Sequence, residues 1–235
     1  TASSKYAGNL LITNIKITKI EKETSLRANA EITLGSLLVV RNIKILEKHD
    51  QLILGMPSVK GHNEQYKDVV FPINANVRAA IERLLFNAYT LLADSEENSI
   101  YLLLKDASNV EFEEIDINSY DITYGMVDYS ALPTYPEFKR LCISAIKIKR
   151  IQHATLKAVV DITLENRIVI KNIKVICKAS PFIAMPSVHE HDIAFPINQE
   201  SRDSLVALIL GLYEEMDELN ASSAIWNIKD DTDNT

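Results

Sequence analysis

Long apolar runs are missing from this 235-residue chain. No stretch of 18 residues is continuously hydrophobic, so no transmembrane helix is expected. Thr1 to Asn9 carries no apolar run of the signal-peptide kind. With two cysteines, Cys142 and Cys177, and no targeting signal, the expected state is a pair of reduced thiols in a cytoplasmic protein. Only six glycines are present, and none builds a phosphate-cradling loop. Ser58 and Ser187 follow prolines, but no paired His and Asp pattern accompanies them, which argues against a nucleophile. His189, Glu190, His191 and Asp192 have a superficial metal-ligand look, yet a site needs three or four converging donors. The expectation is a non-enzyme with no cofactor and no metal.

Charge is present but unevenly placed. Residues 1–90 hold 12 Lys/Arg and 8 Asp/Glu, a net of +4. Residues 91–140 hold 3 and 11, a net of −8. Residues 141–213 hold 9 and 6, a net of +3, and residues 214–235 hold 1 and 7, a net of −6. An overall charge of −7 therefore does not exclude a basic face.

The chain repeats itself. Ile15-Lys16-Ile17 matches Ile146-Lys147-Ile148, and Ile32-Thr33-Leu34 matches Ile162-Thr163-Leu164. Asn42-Ile43-Lys44 matches Asn172-Ile173-Lys174. Met56-Pro57-Ser58-Val59 matches Met185-Pro186-Ser187-Val188, and Phe71-Pro72-Ile73-Asn74 matches Phe195-Pro196-Ile197-Asn198. Arg78 and Arg202, then Tyr89 and Tyr213, follow at equal spacing. Shared order and spacing define a tandem duplication, with copies over 12–89 and 143–213.

Each copy reads as a meander ending in a helix. Leu26, Ala28, Ala30, Ile32 and Leu34 alternate with polar residues, as do Leu156, Ala158, Val160, Ile162 and Leu164, which predicts half-buried strands. Ile15 and Ile17 alternate, but Ile20 breaks parity, and Ile146, Ile148 and Ile151 do the same, so a bulge is expected there in both copies. A third strand is expected over 38–46 and 168–176. A short fourth, over 52–56 and 182–185, stops at proline. Asn74 and Asn198 are expected N-caps of helices whose apolar faces are Val77, Ile81, Leu84, Leu85 and Ala88, and Leu205, Leu208, Ile209 and Leu212. Arg78 and Arg202 oppose the helix dipole in the first turn, so a structural contact is expected to compensate.

The fold class is therefore α+β, with two β-meander-plus-helix units. Residues 1–90 form the first, 91–140 an acidic inserted connector, 141–219 the second and 220–235 an acidic tail. Partial order is expected in the connector, with a strand at Ile100–Leu104 and four tyrosines over Tyr120–Tyr135 ahead of Pro136. The tail is expected to fray after Leu219, unless Trp226 anchors it.

At the Met-Pro-Ser and Phe-Pro-Ile-Asn blocks, each copy resembles the stage V sporulation protein G (SpoVG) family of bacterial septation regulators. The resemblance covers both copies nearly end to end. It implies a small α+β fold that pairs as a homodimer, and a role as a nucleic-acid-binding regulator of septation, cell division and sporulation. Family members typically hold one unit per chain. Two units here imply an intrachain pseudo-two-fold dimer.

The resemblance places nucleic-acid contacts just after Met-Pro-Ser. Here that stretch runs from Val59 to Lys67, with Lys60 and Lys67 at basic positions. The second copy reads Val188-His189-Glu190-His191-Asp192, five residues shorter and without Lys or Arg. Lys60 and Lys67 read either as phosphate contacts or as a solvated loop. The strand residues Lys16, Lys19, Lys44, Lys147, Lys149, Arg150, Lys171 and Lys174 alternate with aliphatics. They read either as a basic sheet face or as the ordinary polar side of a half-exposed sheet. The candidate nucleic-acid residues are Lys60, Lys67, Lys16, Lys44, Lys147 and Lys174. DNA or RNA is the expected partner, with no membrane. The competing reading is a protein-interaction or scaffold module that has lost nucleic-acid binding.

Overall fold

A computed structural model describes residues 10–21, 24–61, 63–107, 110–127 and 141–228. The first unit runs β1 (Ile12–Lys19), β2 (Leu26–Leu34), β3 (Leu38–Lys48), β4 (Gln51–Gly55), β5 (Ser58–Lys60), β6 (Tyr66–Asp68), β7 (Val70–Pro72) and α1 (Ala75–Ala93). β8 (Ser99–Leu104), a 3-10 turn (Ile117–Ser119) and β9 (Tyr120–Tyr124) follow. The second unit repeats the series as β10 (Ile143–Arg150), β11 (Leu156–Leu164), β12 (Ile168–Cys177), β13 (Pro181–Ala184), β14 (Ser187–Val188), β15 (His191–Asp192), β16 (Ala194–Pro196), α2 (Gln199–Glu218) and β17 (Ser223–Asn227). The α+β class and the two-unit pseudo-dimer hold. Among the described residues, no helix is long and apolar enough to cross a membrane.

The alternating positions are the core. Ala28, Ala30, Ile32 and Leu34 are buried, as are Ala158, Val160, Ile162 and Leu164. Tight turns carry the meander. Gly35 and Ser36 join β2 to β3 with φ of 54° and 51°, and Glu165 and Asn166 do the same in the second unit at 41° and 51°. Two left-handed residues match the twist of the flanking strands.

The bulge expected near Ile20 lies elsewhere. β1 stays in register with β2 through Lys19, and Ile20 falls beyond the strand. The first shared irregularity is at Ile12/Asn14 and Ile143/Ala145. Another lies between β2 and β3, where Glu31 alone faces Arg41 and Asn42, and it recurs at Val160/Ile162. Asn42 and Asn172 both sit there at φ 64°. Asparagine tolerates that left-handed conformation, which is a physical reason for the repeated Asn-Ile-Lys block.

The helix caps are as expected. The side chains of Asn74 and Asn198 accept from the backbone N–H of Val77 and Ser201 at 3.0 and 2.8 Å. Arg78 donates to Glu82 and to the Leu54 carbonyl, both at 2.8 Å. Arg202 has Val206 where Arg78 has Glu82, and its side chain has no hydrogen-bond or ionic partner among the described residues.

Each repeat is one strand longer than the motifs suggest. β8 pairs with β1, Ile17 facing Ile100, and β17 pairs with β10, Ile148 facing Ala224. The connector thus contributes β8 and β9 to the first sheet. The tail is not frayed up to Ile228, because β17 closes the second sheet and Trp226 faces Ile146. The remainder of the Tyr120–Tyr135 stretch beyond Val127, and the residues after Ile228, lie outside the described residues. No disulfide joins Cys142 and Cys177.

The two units exchange strands. β7 of the first pairs with β12 of the second, and β16 of the second pairs with β3 of the first. The flanking bonds are mirrored. The Lys171 N–H donates to the Val69 carbonyl and the Arg41 N–H to the Ile193 carbonyl, both at 2.7 Å. The Ile73 N–H donates to the Arg167 carbonyl at 2.7 Å and the Ile197 N–H to the Leu37 carbonyl at 2.8 Å. Cations cap the exchanged rings in both directions, Lys171 5.1 Å from Phe71 and Arg41 4.6 Å from Phe195. The Phe-Pro-Ile-Asn block is therefore the exchange strand. Its proline ends β7 and β16 where an edge can spare an N–H. Val70 and Ala194 are buried by the exchange, so one core runs through both halves.

Candidate nucleic-acid interface

The hairpin after Met-Pro-Ser is β5 with β6. Its register sets Ser58 opposite Asp68, Val59 opposite Lys67 and Lys60 opposite Tyr66. Directly opposed residues share a face. Lys60 therefore shares its face with Tyr66 and Asp68, while Lys67 points the other way with Val59. Lys60 is also held by Glu64, with Nζ 3.0 Å from the carboxylate. The two hairpin lysines do not converge. In the second unit, β14 and β15 turn through His189 and Glu190, at φ 48° and 67°. Those two histidines lie one in the turn and one in a strand, and no group of three metal-ligating side chains occurs among the described residues.

The strand cations divide by parity. Lys19 and Arg150 turn away from the outer sheet face. Lys19 donates to the Ser95 carbonyl at 2.7 Å, and Arg150 meets Asp217 of α2 at 2.6 Å. Lys171 is committed to the Phe71 ring. The outer face keeps Lys16 and Lys44 in the first unit and Lys147, Lys149 and Lys174 in the second.

The two outer faces are unequal. In the first, one row across the strands reads Thr18, Asn29, Lys44. In the second, the same row reads Lys149, Val159, Lys174. Neighbouring strands lie about 4.8 Å apart, so Lys149 and Lys174 flank Val159 at roughly 10 Å. Lys147 precedes Lys149 by two residues, about 7 Å along the same strand. Lys147, Lys149 and Lys174 are exposed, and none has a hydrogen-bond or ionic partner among the described residues. Asp161 faces Lys147 across the sheet and also accepts the Asn172 N–H at 3.3 Å. In the first unit Lys16 is half-buried. It lines a groove of about 440 Å³ with Thr18, Tyr101, Gly125 and Met126. Glu31 faces Lys16 and meets Arg41 at 3.3 Å. The sequence motifs direct attention to the hairpin. The signal for the sheet face was the i, i+2 spacing of Lys147 and Lys149 beside Thr18 in the first copy.

The connector touches both units. Arg167 of the second grips Glu113 with two bonds, at 2.8 and 3.0 Å, and meets Glu165 at 2.9 Å. The Arg167 guanidinium beside Glu113 holds that carboxyl below its ordinary value of 4.5. Arg83 of α1 donates to the Glu113 and Ile115 carbonyls at 2.6 and 3.2 Å. Phe112, Ile115 and Tyr120 are buried, and the Tyr120 hydroxyl donates to the Ile12 carbonyl at 2.7 Å.

Fold and surface together define a fused, strand-exchanged pair of α+β units, with Lys147, Lys149 and Lys174 exposed on the second unit's outer face and without an ion pair among the described residues. The SpoVG family model matches residues 10–91 and 141–215, and the chain belongs to the SpoVG family, with two copies of its unit. A protein of Agathobacter rectalis that bears the name septation protein SpoVG is 37% identical over 78 residues, 33% of this chain and 90% of that protein. A Clostridioides difficile protein of the same name is 35% identical over 78 residues, 33% of this chain and 85% of that protein. A Listeria monocytogenes protein named SpoVG 2 is 28% identical over 89 residues, 38% of this chain and 87% of that protein. Each such relative is about as long as one copy.

Proposed function

We propose that this protein is a non-catalytic regulator of septation that acts in the cytoplasm by binding nucleic acid. The septation role rests on the family and on the names its relatives bear. The observation that supports nucleic-acid binding is the outer face of the second sheet. Lys147, Lys149 and Lys174 are exposed there and form no ion pair among the described residues, with Asp161 facing Lys147 as the acidic neighbour across the strands. Phosphate contacts dominate non-specific affinity, and cations with no ion pair to break are the ones free to make them. Lys44 adds a cation on the first unit's face, while Lys60 has Glu64 as its counter-ion.

The competing reading, a protein-interaction module, draws on the acidic connector and on the split hairpin lysines. One titration separates them. Labelled single-stranded DNA, duplex DNA and RNA are titrated with the full chain from low to physiological salt. Binding to at least one is expected, with affinity falling steeply as salt rises. No salt-sensitive binding to any of the three would leave the interaction module as the surviving reading.

A further inference from the structure

The outer edges of the two sheets are finished differently. In the first unit β9 covers the outer edge of β8. In the second unit β17 is the last strand, and among the described residues nothing pairs with its outer side.

Backbone direction shows what β17 offers. The Arg150 N–H donates to the Ser222 carbonyl, and the Ile228 N–H donates to the Ser144 carbonyl. Even-numbered residues of β17 therefore bond inward to β10. Ser223, Ile225 and Asn227 turn their N–H and C=O groups to the open edge. By register these positions match Ser99, Tyr101 and Leu103 of β8. There the same outward groups hold β9, as the Gly125 N–H does on the Ser99 carbonyl at 2.8 Å.

The edge lacks the usual protections. Residues 221–227 contain no charged residue and no proline. Ile225 is 64% exposed. The other strand edges are managed: Arg78 bonds the Leu54 carbonyl of β4, β13 opens on Pro181, and β9 carries Asp121.

We infer that β17 is a self-association edge, and that its occupant is β17 of a second copy of this chain in antiparallel register centred on Ile225. Parity requires the two-fold axis to pass through a residue, because opposed residues of an antiparallel pair share a face. Centring on Ile225 uses the whole strand. Ser223 meets Asn227, Ala224 meets Trp226, and Ile225 meets its own copy. Ala224 and Trp226 lie on the helix side, where small opposes large. The Ile225 pair covers apolar surface that is otherwise wet. All three outward-facing positions then form hydrogen-bonded pairs. The axis stands perpendicular to the sheet, so the outer faces of both copies point the same way. Lys147, Lys149 and Lys174 of both copies would then share one face, separated at the joint by the paired β17 strands. The edge stands whether or not that face binds nucleic acid.

A five-residue edge is a small interface, so the dimer is concentration-dependent. Sedimentation equilibrium of the full 26.4 kDa chain is expected to show mass rising toward twice that value with concentration. Ile225→Pro removes an outward donor and leaves the inward bonds to β10 intact. It is expected to remain monomeric with an unchanged circular dichroism spectrum. Ile225→Lys, which keeps the N–H, is expected to weaken the dimer through charge. Ile225→Cys is expected to form an intermolecular disulfide on mild oxidation that the wild-type chain does not form, since a hydrogen-bonded pair sets Cα atoms about 5.5 Å apart. A wild-type chain monomeric up to about 1 mM would overturn the inference. So would a dimer that survives in Ile225→Pro, or slow exchange of the Ile225 amide in a monomer, which would mean that the chain covers its own edge.

Discussion

The two helices share a cap, an arginine and a tyrosine, yet they are buried to different depths. α1 buries Val77, Ala80, Ile81, Leu84, Leu85, Ala88 and Leu92. α2 buries Ser201, Leu205, Ile209 and Met216. Leu208, the counterpart of Leu84, is half-buried, and Ser204, the counterpart of Ala80, is exposed. The difference follows the connector. Arg83 bonds the Glu113 and Ile115 carbonyls, so α1 has a second neighbour beyond its own sheet. No described segment plays that part for α2. Among the described residues the first unit is the covered half, and the second has an unpaired sheet edge at β17 and exposed lysines on its outer face. A homodimer carries each change twice, whereas fusion lets one half be modified alone.

The largest expected effect comes from the feature the halves share. Val70→Asp places a carboxylate in the exchange strand, opposite Ile170 in the core. An unpaired buried charge is expected to cost more than about 3 kcal/mol. Both halves should lose stability in one denaturant transition. Two separate transitions would mean that the halves fold independently.

Next comes the helix comparison. Leu84→Ala is expected to cost about 2–5 kcal/mol in denaturant unfolding. Leu208→Ala, with less to lose, is expected to cost under about 1.5 kcal/mol. Equal losses would contradict the asymmetry.

The connector clamp is weaker. Arg167→Ala is expected to cost about 1–2 kcal/mol, after allowance for solvent around Glu113. Because the Glu113 carboxyl is held below 4.5, its contribution is present above that ordinary value and fades as pH falls through the lowered one. The stability gap between the wild type and Glu113→Gln should close in that acid window. A gap that widens there would reverse the assignment.

The smallest effect should be an equal one. Asn74→Ala and Asn198→Ala each lose one cap bond, at about 1 kcal/mol apiece. A difference well beyond that would place an unequal load on the two caps.

Much of the fold was legible in the sequence because alternation and caps are local. The β2 and β11 alternation, both asparagine caps and the α1 face follow from spacing alone, whereas of the expected α2 face Leu205 and Ile209 are buried and Leu208 and Leu212 only half-buried. What was not legible is non-local. Phe71-Pro72 and Phe195-Pro196 read as helix entries, and nothing local says that they cross to the other unit. β8 and β17 lie past the shared motifs, in segments that read as connector and tail. The Ile20 parity break marks the end of the strand rather than a bulge. Lys60 and Lys67 stand out as loop cations, but only the hairpin register shows them on opposite faces. Lys149 looks like any strand lysine until Thr18 is seen in its place on the other sheet.

Under the proposed function, nucleic acid binds the outer face of the second unit's sheet. The most direct test compares two charge-removal variants of the full chain, Lys147→Ala/Lys149→Ala/Lys174→Ala and Lys60→Ala/Lys67→Ala. Binding to one labelled nucleic acid is measured over a salt series. The sheet triple variant is expected to lose most of the affinity and to flatten the log–log salt slope by about 2–3, while the hairpin variant changes both only slightly. A hairpin variant that loses binding while the triple variant keeps it would move the binding site from the sheet face to the hairpin.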